Sequence, residues 1–360
     1  MFKNFTRRRY YLLASLLIII ASGVTAFSSF NSSEKADEQV GKGSLVLYNW
    51  EGYMDMEVIQ QFIDETGIEV TVKEYNLASE MLSNLKGNPS SYDIIVTDGS
   101  TVSTLVLERL LKPLDKEKLP NIKFLNRDFT DLYYDPGNSY SVPYVWGTTG
   151  LGVNASYVSS PIVSWNDLLD PQYEGKIGIF DEPLESILPV MMSLGHSINT
   201  QDPEHYKQAM EQAERFRDNN VVLSDSVELL DQLVAGDLWI VMAYNGDLMA
   251  VAEENENINF VIPEEGSVRW VDNFVVSNQS RNVESAHVFL NYIMRPEIAA
   301  DISSELYYAT PNAKAETLLD ADLFSNHIIY PTDETMSRLE VLHELELPLS
   351  ELNKIHNLLK

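Results

Sequence analysis

The chain has 360 residues, 44% of them apolar, and 54 acids against 25 bases give a formal charge of −29. That length suits two lobes of ordinary size better than one small core, and the missing Lys/Arg stripes exclude nucleic acid as an expected partner. An acidic surface draws cations and raises their local concentration, although the same charge also serves solubility alone.

The amino terminus reads as an export signal. Lys3, Arg7, Arg8 and Arg9 form a basic start, Tyr10 to Ala21 is an almost unbroken apolar run, and Val24-Thr25-Ala26 resembles a peptidase site. Residues 1–26 are therefore expected to be a signal peptide or, because Tyr10 to Phe27 approaches the length of a short span, a membrane anchor that stays attached. Export places the protein in the periplasmic space or on the outer face of the cytoplasmic membrane. Residues 27–43, rich in Ser, Glu and Lys, read as a flexible tether. The chain has no cysteine, which rules out disulfides, thiol chemistry and a lipid-modified cysteine.

From Ser44 onward, strand-like runs alternate with helical patterns. Leu45 to Tyr48 is a buried-strand run. Met56 to Glu65 carries Val58, Ile59 and Phe62 at helical spacing before Gly67 stops it. Val70 to Val72, Glu80 to Leu85, Asp93 to Val96 and Val102 to Leu111 continue as strand, helix, strand and helix. Lys176 to Phe180, Leu238 to Met242 and Ile258 to Ile262 read as further strands, with helices over His205 to Arg217 and Val283 to Tyr292. This alternation predicts an α/β fold with a mostly parallel sheet flanked by helices. Ligands of such sheets bind beyond the carboxyl ends of the strands, which directs attention to the loops after Tyr48, Val96, Ile179 and Met242.

Enzymatic constellations are not legible. The six histidines show no metal-ligand spacing, so neither a metal nor a cofactor is expected. Gly147 to Gly152 has the wrong glycine order for a dinucleotide site and suits close packing or a bend between lobes. No nucleophile elbow or phosphate loop is present. What recurs instead is a carboxylate at a strand end, in four of five cases with an aromatic residue near it: Trp50-Glu51-Gly52-Tyr53, Asp98-Gly99-Ser100, Phe180 to Glu185, Tyr244 to Asp247, and Trp270-Val271-Asp272, with Tyr307-Tyr308 further on. Taken singly, each ring fits core packing and each acid fits a cap or turn, Asp98 and Asp181 especially. Acids recurring at five separate strand ends, with aromatics near four of them, fit an alkylammonium ligand. Its charged ends want desolvated carboxylates, and its methylenes want flat apolar walls whose π faces add about 0.5–2 kcal/mol each.

The motifs resemble those of polyamine-binding proteins (spermidine/putrescine type) that serve bacterial ABC importers. The resemblance runs over nearly all of the chain after about residue 45. It is carried by L-Y-N-W-E-G-Y at 47–53, F-I-D-E-T-G-I at 62–68, Y-D-I-I-V at 92–96, Y-S-V-P-Y-V-W-G-T-T-G-L-G-V-N at 140–154, S-W-N-D-L at 164–168, W-V-D-N at 270–273 and Y-Y-A-T-P-N at 307–312. It implies a two-lobed periplasmic-binding-protein fold of type II-like organisation, closing on ligand by hinge motion. The first lobe would comprise 44–149 plus 272–314 and the second 150–271 plus 315–360, with crossings near Thr149, Asp272 and Lys314.

Position by position, the resemblance makes Trp50 and Tyr53 first-lobe contacts and Asp98 or Ser100 the polar loop after the third strand. Glu182 and Glu185 would hold one terminal amine, Tyr244 stands where spermidine binders tend to carry tryptophan, and Asp247 matches an acid of putrescine binders. Trp270 and Asp272 form the central wall and carboxylate, and Tyr308 is a further aromatic contact. Gly52 departs from relatives that carry an acid there; Glu51 or Asp98 could stand in. Asn76 to Ser79 and Leu342 depart as well. The expected partners are thus a polyamine ligand and membrane permease subunits, the protein working as a monomer. Three other readings stay open: a relative retuned for another organic amine or a cationic amino-acid-like solute, a sensor or adhesin, and a hydrolase or transferase on a similar scaffold.

Overall fold

A computed structural model describes residues 43–343 and 348–360. The expected signal or anchor over 1–26 and nearly all of the expected tether lie outside the described residues. Among the described residues no helix is long and apolar enough to cross a membrane.

The first third folds as its pattern dictates. Strand β1 (Ser44–Trp50) is followed by helix α1 (Met56–Thr66), β2 (Glu69–Tyr75), α2 (Ala78–Gly87), β3 (Ile94–Asp98) and α3 (Gly99–Leu107). Helix α1 buries Val58, Ile59 and Phe62, the residues its spacing singles out. It opens on Asp55, whose side chain accepts from the Glu57 N–H, and closes on Gly67 in the left-handed region at φ 70°. Strand β1 pairs parallel with both β2 and β3. Then comes β4 (Ser141–Asn154), every residue of which is buried.

The middle of the chain repeats the rhythm: β5 (Ile177–Phe180), α4 (Pro183–Ser193), α5 (Pro203–Asp218), β6 (Val222–Ser224), α6 (Ser226–Ala235), β7 (Ile240–Tyr244), α7 (Asn245–Ala252) and β8 (Ile258–Val261). Here too β5 pairs parallel with β6 and β7. The chain then runs back through β9 (Ser267–Val276) into α8 (Val283–Ile293) and α9 (Pro296–Leu306). Short helices α10 (Ala321–Phe324) and α11 (Asp333–Met336), the two-residue strand β10 (Leu339–Glu340) and a last helix α12 (Leu349–Leu359) complete it.

Two long strands join these halves. The sheet order is β2-β1-β3-β9-β4-β7-β5-β6, with β8 added on β4 and β10 on β9. The expected parallel pairing holds in each outer set, whereas β9 is antiparallel to β3 and β4, and β4 is antiparallel to β7 and β8. Buried side chains fall into separate clusters. One gathers Leu151, Ile179, Phe216, Met242 and Ile355, and another gathers Leu47, Phe62, Val145, Phe274 and Phe289. The division between them falls inside β4, between Val145 and Leu151, at its glycines. A Cβ on Gly152 would lie 2.4 Å from the Leu248 side chain, so close packing is what glycine supplies there.

Candidate functional site

The parallel strands of both halves direct their carboxyl ends at one stretch of the crossing strands. Asp98, the last residue of β3, sits directly opposite Asp272 of β9. Two residues along, Trp270 of β9 pairs with Gly147 of β4, and Tyr244, the last residue of β7, pairs with Thr149. Asp98, Asp272, Trp270 and Tyr244, four of the strand-end candidates, are therefore brought together by register alone.

Their rings make a continuous wall. Tyr53 meets Tyr308 edge-on at 5.4 Å between centroids, Tyr308 meets Trp270 at 5.1 Å, Trp270 meets Tyr244 at 5.6 Å, and Tyr244 leans on Phe180 at 4.8 Å. Two glycines make room for it. A Cβ on Gly147 would fall 2.6 Å from the Trp270 indole, and one on Gly246 would fall 2.5 Å from the Tyr308 ring. Asn245 fixes the floor, its Oδ1 accepting from the Thr148 N–H at 3.0 Å and its Nδ2 donating to the Ile328 carbonyl at 2.9 Å. Trp50, at the end of β1, packs on Tyr75 at 4.3 Å.

The acids along this wall are desolvated and repel one another. Burial raises Asp272 to about 8, with the charges of Asp98 and Glu185 adding to the shift and Tyr53 opposing it. The Tyr53 hydroxyl faces that carboxyl without completing a hydrogen bond. Burial likewise raises Glu185 to about 7, helped by Glu182 and Asp98. The Tyr244 hydroxyl donates to both Glu185 oxygens, at 2.7 and 2.8 Å, and partly offsets the rise. Glu182 is raised by burial and by Asp181, with Lys360 acting the other way. No lysine or arginine among the described residues offsets Asp272 or Glu185. An uncompensated buried carboxylate is costly, so this arrangement suits a site where a cation completes the charge balance. The indole Nε1 atoms of Trp50 and Trp270 are also buried without an acceptor.

Other candidates stand less directly in the cluster. Asp98 is saturated as the cap of α3: Ser100 Oγ and the Thr101 N–H donate to its Oδ1, and Thr101 Oγ1 donates to its Oδ2 at 2.6 Å. It thus offers the site a fixed negative charge more than free lone pairs, and Ser100 serves Asp98. Asp247 opens α7, and its N–H donates to the Tyr308 hydroxyl at 3.3 Å. Glu51 lies on the exposed side of the turn after β1, held by its backbone to the Tyr75 carbonyl at 3.0 Å. The structure does not bring Glu51 into the carboxylate cluster.

Tyr75 is the residue that the sequence reading passes over. It stacks on Trp50, its hydroxyl donates to the Val96 carbonyl at 2.5 Å, and it feels the charges of Asp272 and Asp98. No local pattern marks it, since Lys73 and Glu74 are both exposed, and only pairing with β1 places Tyr75 beside Trp50 in register.

A mixed α/β fold with two cores strung on shared crossing strands, and an acid-and-aromatic cluster at the crossing, defines a two-lobed solute-binding protein of the periplasmic-binding-protein type. The chain belongs to the bacterial extracellular solute-binding protein family, whose model matches residues 57–332. It is similar to the spermidine/putrescine-binding periplasmic protein of Escherichia coli, with 30% identity over 89% of this chain and 91% of that one. The putrescine-binding periplasmic protein PotF of the same species is 29% identical over 83% and 86% of the two chains. Among solved structures, the spermidine/putrescine ABC transporter substrate-binding protein PotD from Streptococcus pneumoniae superposes with a TM-score of 0.77 at 31% identity, covering 88% of this chain and all of that one. The protein is accordingly a substrate-binding receptor, not an enzyme.

Proposed function

We propose that this receptor captures a polyamine, spermidine or putrescine, between its lobes and delivers it to an ABC permease. The observation that carries the reading is the pair of raised carboxyls, Asp272 and Glu185, lined up along the Tyr53–Tyr308–Trp270–Tyr244 wall with no base among the described residues to neutralise them. A linear diammonium or triammonium chain supplies positive ends to the acids and methylenes to the rings, contacts that exist only when both lobes close on it. Glu182 and Glu185 take one terminal amine, with Tyr244 holding Glu185 in place. Trp270, Trp50 and Tyr308 flank the chain, and Asp272 with Tyr53 takes the inner nitrogen or the second end. Asp98 and Asp247 strengthen the field, and Ser100 orients Asp98.

In this reading the first lobe is 44–149 plus 272–314 and the second is 150–271 plus 315–360, opening about the crossing strands. The protein is exported by its first 26 residues, or held outside the membrane by residues 10–27, and works as a monomer. Calorimetry of the wild-type protein with putrescine and spermidine tests the assignment. Saturable one-to-one binding, lost in Asp272→Ala, is expected; near-native affinity in that variant refutes it.

One observation favours a second reading. Gly52 sits in the left-handed region at φ 66°, and its N–H donates to Glu74 Oε1 at 2.9 Å, so no side chain reaches inward from this position. A receptor retuned for another organic amine or a cationic amino-acid-like solute follows from that. A thermal-shift panel of putrescine, spermidine, spermine, agmatine and amino acids separates the two, and a response to amino acids alone selects the second.

A further inference from the structure

The last helix, α12, packs Leu352, Ile355 and Leu359 into the core of the second half and carries His356, itself only 5% exposed. The two ring nitrogens grip two points on one short segment. Nδ1 lies 2.9 Å from Ser186 Oγ, and Nε2 lies 3.1 Å from Asp181 Oδ1. Lys360 Nζ, four residues on, reaches the same Asp181 oxygen at 3.1 Å. Asp181 and Ser186 are the immediate flanks of the stretch that runs from Glu182 to Glu185. Inside that stretch the N–H groups of Glu185 and Ser186 both donate to the Glu182 carbonyl, at 3.1 and 2.8 Å, so the segment moves as a unit.

Ser186, His356 and Asp181 stand in the spatial order of a hydrolase triad, with a hydrogen bond between the first two and ion-pair distance between the last two. The Ser186 side chain is fully buried inside α4, so no substrate carbonyl can reach its hydroxyl. The groups tie two elements together instead of reacting.

The first turn of α4 has no side-chain cap, as is also true of α2, α7, α8 and α9. Helices α5 and α6 are each capped by their own aspartate: Asp202 accepts from the Glu204 N–H, and Asp225 accepts from the Glu228 N–H. The cap residue of α4 is Glu182, and its side chain makes no capping bond. No cap therefore fixes the turn that carries Glu182 and Glu185, and the contacts from α12 are what hold its two flanks. We propose that His356 is a positioning residue for the binding site: by bridging Asp181 and Ser186 it holds the turn that presents Glu182 and Glu185, so the carboxy-terminal helix sets amine affinity without touching the amine. The inference rests on the polyamine reading given above.

The test is calorimetry with putrescine and with spermidine, alongside thermal melts, on wild type, His356→Ala, Ser186→Ala, Glu185→Gln, His356→Ala/Glu185→Gln and the exposed control Lys354→Ala. Loss of one buried hydrogen bond that orders a charged group corresponds to affinity weakened about fivefold to tenfold in His356→Ala and in Ser186→Ala. That loss shrinks in the Glu185→Gln background, where only Glu182 is left for His356 to position, and Lys354→Ala binds as wild type does. Ser186→Ala changes little volume, so it and Asp181→Asn decide the matter if His356→Ala does not fold. Unchanged affinity in these variants overturns the proposal, and so does an equal loss in the Glu185→Gln background, which marks a general structural role. Failure of wild type to bind either amine overturns the polyamine reading together with this one, and is recognised because it needs no mutation.

Discussion

Binding of a polyamine has to expel protons. Free of ligand, Asp272 titrates near 8 and Glu185 near 7, because burial and neighbouring acids favour their neutral forms. An alkylammonium ligand keeps its charge below about pH 9 and interacts with the ionised forms, so the complex holds both carboxyls deprotonated. At pH 7 the free site carries about 0.9 proton on Asp272 and about 0.5 on Glu185, giving about 1.4 protons released per ligand. Release grows to about 1.9 at pH 6 and falls to about 0.1 at pH 9. Integrated over pH, affinity strengthens roughly 500-fold between pH 6 and pH 8. Calorimetry in buffers of different ionisation enthalpy reads the proton count directly, and Asp272→Asn should reduce it at pH 7 to about 0.5. Identical apparent enthalpies in all buffers, with affinity flat from pH 6 to pH 8, would refute the electrostatic account of the site.

The same carboxyls bear on stability. Both titrate higher in the fold than in the unfolded chain, so the ligand-free protein binds more protons than the unfolded chain between about pH 4 and pH 8, and its stability falls as pH rises through that window. Asp272→Asn should therefore raise the ligand-free melting midpoint at pH 8, by about 5 °C, while weakening putrescine binding. Tyr244→Phe removes the hydroxyl that donates to both Glu185 oxygens, and calorimetry should show affinity lowered about 10-fold to 100-fold, the worth of a hydrogen bond to a charged group. Gly147→Ala puts a methyl 2.5 Å from Asn245 Oδ1 and 2.6 Å from the Trp270 ring, so denaturant unfolding should show a loss of about 1–3 kcal/mol, with tryptophan emission altered.

Local features of the fold were legible because local chemistry decides them. The apolar spacing of Val58, Ile59 and Phe62 and the stop at Gly67 define α1 without reference to the rest of the chain. Asp98 was legible as the end of β3 for the same reason, although it proves to be cap and charge at once, whereas Asp272, read as a strand-end acid, stands inside β9. Tyr75 was missed because Lys73 and Glu74 break the apolar run that marks β2, and only pairing with β1 carries the strand on to its end. The antiparallel course of β4 and β9 has no local signature, since it depends on partners more than a hundred residues apart. His356 lay beyond sequence reasoning altogether: its partner Ser186 is 170 residues away, and nothing in the spacing of the histidines points to it.

The crossing strands also govern when the molecule can fold. Strands β3 and β4 emerge early, yet both take β9 as a neighbour, and β9 ends at Val276. The amino-terminal sheet therefore stays incomplete until more than three quarters of the chain has been synthesised. Pairings that span such separations are slow, because loop-closure entropy is lost before the contacts repay it. A chain that cannot close its first core early therefore stays open through most of its synthesis.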